Sequence, residues 1–74
     1  MNPIKKVRTN KNLSINKFAE FLDSNPLTIN NVEEGNCKDS TYLSIIRKMS
    51  LEFDDIYDGR LLKKYKNWLE ADDN

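Results

Sequence analysis

The dipeptide Asn25-Pro26, set between two short runs of helically spaced apolar residues, constrains this chain more than any other feature. Phe18, Ala19 and Leu22 share one helical face before it, and the same period resumes after it at Ile29 and Val32. Proline cannot continue a helix from within, but at the first helical position its missing amide hydrogen costs nothing and its fixed φ suits the turn. Asn25 supplies the preceding N-cap oxygen. A helix therefore starts at Pro26, and Gly35, suited to the left-handed C′ position, ends it.

Ala19 sets the packing of the two helices. Helices joined by so short a turn approach closely only where a side chain is nearly absent, which is the geometry of a helix-turn-helix. Leu13-Ser14, Phe18-Ala19, Leu22, Thr28-Ile29, Val32-Glu33 and Gly35 stand in an ungapped register. In that register the chain resembles the phage repressor and Cro type of helix-turn-helix family, most strongly over Leu13 to Gly35 and in outline from about residue 4 to 57. The resemblance implies an all-α, compact five-helix, lambda-repressor-like DNA-binding fold over residues 1–59, with the motif at 14–35. Asp23 stands where the family usually has glycine; Asp tolerates the left-handed conformation better than most residues. Ser24 replaces a usual aliphatic.

The family also implies roles for particular positions. Arg8 pairs with Glu33, tying the first helix to the second helix of the motif. The family's base-reading positions fall on Pro26, Leu27 and Asn31, with Thr28 and Asn30 beside them, and its phosphate-gripping glutamine is Ile15 here. Base edges are read by donors and acceptors, and of these residues Asn31 best matches one of the favoured pairs, Asn to adenine; Leu27 can meet a thymine methyl. No Arg or Lys lies between Asp23 and Gly35, and Glu34 would face phosphates unfavourably.

Charge is distributed unevenly along a chain of zero formal net charge. Residues 1–22 hold five cations against one carboxylate, residues 23–59 three against eight, and residues 60–74 four against three. A phosphate-binding face would thus draw on Lys5, Lys6, Lys11 and Lys17, with Lys38 added from the loop after the motif. At 74 residues the chain holds one small core. With no histidine and one cysteine, Cys37, it lacks the usual metal clusters, nucleophile-base pairs and internal disulfides. No cofactor, small-molecule substrate or enzymatic activity is expected. No apolar run reaches membrane-spanning length and no signal sequence opens the chain, so the expectation is a cytoplasmic protein with no membrane partner.

Outside the motif, Asn2-Pro3 reads as the cap and first residue of an opening helix, with Ile4 and Val7 inward and Asn12 closing it. Ser14 caps the next helix. Asp39 or Ser40 caps a fourth, carrying Tyr42, Leu43, Ile45, Ile46 and Met49 to about residue 49. Asp54-Asp55 opens a short fifth helix holding Ile56 and Tyr57, and Asp58-Gly59 stops it. Residues 60–70 then form an extra C-terminal amphipathic helix with Leu61, Leu62, Tyr65, Trp68 and Leu69 on one stripe, followed by a frayed tail at 71–74. That stripe either folds onto the chain's own core or forms a homodimer or heteromer interface.

Two partners fit the motif face. The family resemblance implies operator DNA, double-stranded and held by helix 26–34, and a regulator of a phage or mobile-element switch. The apolar pair Ile15 and Leu27 on the same face fits instead an antirepressor or modulator that docks on a repressor protein and blocks its DNA binding.

Overall fold

The computed structural model describes residues 2–72, with side chains through Glu70. Among these residues there are five helices and no strand: α1 (Pro3–Asn10), α2 (Ile15–Phe21), α3 (Pro26–Glu34), α4 (Asp39–Glu52) and α5 (Asp58–Asp72). The first three are capped as their sequences demand. Asn2 Oδ1 accepts the amides of Ile4 and Lys5 at 2.8 and 3.3 Å, Ser14 Oγ that of Lys17 at 3.1 Å, and Asn25 Oδ1 that of Thr28 at 2.8 Å. Pro3 and Pro26 take the first helical turn.

All three helices stop by one device. A left-handed residue, Asn12 (φ 56°), Asp23 (φ 50°) or Gly35 (φ 76°), turns the chain at each C-terminus. The following amide then reaches back five residues: Leu13 to the Arg8 carbonyl at 3.2 Å, Ser24 to Ala19 at 2.9 Å, Asn36 to Asn31 at 2.8 Å. This is the Schellman pattern, which satisfies carbonyls that a helix end leaves open.

The second half departs from expectation. α4 runs to Glu52 rather than stopping near residue 49, and its N-cap position is Lys38, with no side-chain cap bond from Asp39 or Ser40. It ends because Phe53 turns extended (φ −116°, ψ 120°) and stacks its ring on Phe18, centroids 6.1 Å apart and nearly parallel. The expected short helix at residues 54–57 does not form; those residues are a turn and connector. Asp58-Gly59 does not stop a helix but begins one. A Cβ at Gly59 would lie 2.9 Å from the Tyr57 ring, so the glycine lets that ring lie over the first turn of α5. α5 extends through Asp72, two residues past the expected end, and residues 73–74 of the expected tail lie outside the described residues.

The core gathers side chains from every helix: Ile4, Phe18, Ala19, Leu22, Ile29, Val32, Tyr42, Ile45, Ile46, Met49, Leu61 and Tyr65 are buried. Leu61 and Tyr65 are thus core residues rather than a free interface. Leu62 and Trp68 pack half-buried against the same cluster, while Leu69 is exposed. Tyr65 stacks on Tyr42 with centroids 3.6 Å apart and donates its hydroxyl to Asp39 Oδ1 at 3.3 Å. The Cα radius of gyration is 11.3 Å, about the value for a compact chain of this length.

Candidate functional site: the outer face of α3

α3 is held from behind at two levels. At its C-terminal half the Arg8 guanidinium of α1 grips Glu33 with both arms, Nε to Oε2 at 2.8 Å and Nη2 to Oε1 at 2.9 Å, while Nη1 donates to the Leu13 carbonyl at 2.8 Å. The pair is largely buried, with 12% and 4% of the two side chains exposed. A planar fork suits this bidentate geometry. At the adjacent residue, Asn2 Nδ2 donates to the Val32 carbonyl at 3.1 Å, so the residue that caps α1 also fastens it to α3. No buried side-chain nitrogen or oxygen among the described residues lacks a partner.

The end of α3 is covered by α5. Trp68 lies so close over Gly35 that a Cβ there would meet its Cη2 at 3.0 Å. Gly35 is therefore required twice, by its left-handed φ and by the ring. With Ile29, Val32 and Glu33 buried, α3 has its inner side spent on the core and its outer side open.

On that outer side Pro26, Leu27 and Asn30 are exposed, and Thr28 and Asn31 are half-buried. Leu27 is 70% exposed, although its neighbour Ile29 is fully buried. Ile15, expected beside Leu27 as part of an exposed apolar pair, instead packs half-buried against the core. Of the residues expected to meet phosphate, Lys5, Lys6, Lys17 and Lys38 are exposed, Lys17 within 3.6 Å of Glu20. Lys11 is engaged elsewhere. Its Nζ bonds Asp55 Oδ1 at 2.8 Å and sits 4.7 Å from the centroid of the Phe53 ring, and that hydrogen bond holds the Asp55 carboxyl below its usual range.

The sequence pointed to Asn2 as a cap but gave no sign of its second bond to Val32, thirty residues away. Nor did it pair Trp68 with Gly35, since nothing local to either residue encodes the other. Cys37 is half-buried, and burial raises its thiol pKa, with Asp39 adding to the rise. Among the described residues no group of three side chains could hold a metal ion, and no helix is long and apolar enough to cross a membrane. No family model, curated protein or solved structure matches the chain.

Proposed function

We propose that the protein is a small DNA-binding regulator of the repressor and Cro type, which lays the open side of α3 in the major groove of an operator. One observation carries this reading. A capped nine-residue helix is fastened along its inner side by Arg8, Asn2 and the core, and its outer side carries the exposed Leu27 and the half-buried Asn31. A recognition helix needs that arrangement, because rigid backing fixes the register in which its side chains meet base edges.

In this reading Asn31 pairs with adenine, Leu27 meets a thymine methyl, and Thr28, Asn30 and Pro26 fill the groove. Lys5, Lys6, Lys17 and Lys38 neutralise phosphates. The work is binding, without catalysis or a cofactor, in a genetic switch of the kind phage and mobile elements use. A second reading is favoured by a specific feature: Leu27 is strongly exposed on a helix that carries no cation, with Glu34 exposed at its end. Such a face suits an antirepressor that docks on a repressor protein.

Salt dependence separates the two. A DNA reader loses affinity on log-log axes with a slope of about −0.9 per phosphate neutralised. We expect a slope near −3 to −4 from the four exposed lysines on that count, measured by anisotropy with genomic operator fragments. Leu27→Asp and Asn31→Ala should each weaken sequence-specific binding by about 1–3 kcal/mol. A flat salt profile, with Leu27→Asp alone abolishing capture of a repressor, would move the assignment to the antirepressor.

A further inference from the structure

The helix α4 buries Tyr42, Ile45, Ile46 and Met49 and turns its opposite side to solvent. Two leucines interrupt the polar surface that an outward helix face usually presents. Leu51 on it is 86% exposed and Leu43 37%. Between them runs a groove of about 410 Å³ lined by Ser40, Leu43, Ser44, Arg47, Lys48 and Leu51. Smaller hollows extend it at both ends, one reaching Leu62 and Asp58, the other Phe21, Asp23 and Glu52. Apolar side chains from the end of α2, from α4 and from α5 thus line three adjoining hollows that form one trough.

Its charges are ordered. Arg47 and Lys48 occupy the middle, neither of them in an ion pair among the described residues, and carboxylates stand only at the ends. This order disfavours a second copy paired about the middle of the trough, where a two-fold axis would set Arg47 against its own copy, like charge on like. The complement of the trough is apolar at two points and anionic between them. Leu43 and Leu51 are eight residues apart, about 12 Å along the axis, which is the spacing of side chains two turns apart on a facing helix.

We propose that the outer face of α4 docks an amphipathic helix of a partner protein, one that carries leucine-type side chains two turns apart and carboxylates between them. The surface is separate from the outer face of α3, and its role does not depend on what α3 reads. Exposed apolar side chains in line supply the contact area, and the central cations select the partner's charge and register.

The test uses the full chain and a fluorescein-labelled synthetic helical peptide with leucines two turns apart and glutamates between, against a scrambled peptide of equal charge. We expect saturable anisotropy for the first peptide only. Leu51→Asp, and separately the pair Arg47→Glu and Lys48→Glu, should weaken it at least about tenfold. The charge-reversed variant should in turn prefer a peptide whose glutamates are replaced by lysine. Arg47 and Leu51 are exposed and Lys48 is half-buried, and thermal melts of each variant report whether the fold is kept. Equal binding of the scrambled peptide, no response to Leu51→Asp, or no preference after charge reversal would overturn the proposal. So would a dimer in sedimentation equilibrium that Leu51→Asp dissolves, or a salt slope for DNA that the charge reversal lowers, since those results give the face to a second copy or to phosphate.

Discussion

Arg8 shows how much of this molecule one side chain organises. Three of its five donors go to the Glu33 carboxylate on α3 and the Leu13 carbonyl in the connector, so three segments meet on one guanidinium. Removing it would leave Glu33, only 4% of whose side chain is exposed, as a buried carboxylate without a counter-charge. We expect Arg8→Ala to cost about 3 kcal/mol in urea denaturation, and Arg8→Met combined with Glu33→Met to recover most of that loss. The asymmetry is the point: a broken pair is costly, an absent one is not. A double variant as unstable as the single one would mean that the hydrogen bonds of Arg8, to Glu33 and to the Leu13 carbonyl, carry the loss rather than a stranded charge. The same scale explains the turns. Asn12 and Asp23 take left-handed φ without being glycine, at residue types whose short polar side chains tolerate it.

At the scale of elements, α5 is a full member of the fold. Its stripe supplies Leu61 and Tyr65 to the core, Tyr65 stacks on Tyr42, and Trp68 closes over the end of α3. Full burial of a large apolar side chain contributes roughly 1.5–3 kcal/mol, and total stability for a small domain is on the order of 5–15 kcal/mol. A chain ending at residue 57 should therefore show no cooperative thermal transition by circular dichroism. A sharp transition in that truncated chain would make α5 an appendage. The sequence showed this helix and its apolar stripe plainly, because a 3.6 period is a local property. It did not show which surface the stripe meets. The Asp58-Gly59 pair illustrates the gap: its residues favour a turn on local grounds, yet the pull of Leu61, Leu62 and Tyr65 toward the core makes them the first turn of a helix. Likewise, Asp54-Asp55 looked like a helix start, but Phe53 turning into the core beside Phe18 leaves the next residues spanning to α5.

At the scale of the whole molecule, acids held neutral in one region make stability fall at high pH. Burial raises the phenol pKa of Tyr42 far above the ordinary tyrosine range, and burial followed by the charge of Asp39 raises those of Tyr65 and Cys37. A group whose folded pKa is raised stabilises the fold below its unfolded pKa, and that contribution is lost as pH climbs through the folded value. The melting temperature should thus decline above about pH 10, the unperturbed tyrosine range. Tyr42→Phe should flatten that decline while forfeiting the 3.4 Å hydrogen bond to Asn2. An alkaline decline identical in the variant would remove Tyr42 as its source.

The sequence by itself determined the features that depend on near neighbours. These are the caps at Asn2, Ser14 and Asn25, the prolines behind two of them, the stop at Gly35, and the apolar period of each helix. Backbone hydrogen bonding and side-chain sterics act over three or four residues, so those signals are complete within a short window. Tertiary structure decided the rest: that Ile15 turns to the core while Leu27 stays in solvent, that Lys11 is occupied by Asp55, and that α5 folds onto its own chain. Each outcome rests on a contact between residues distant in sequence. There the gain is buried area and paired charge, quantities that no single stretch of sequence contains.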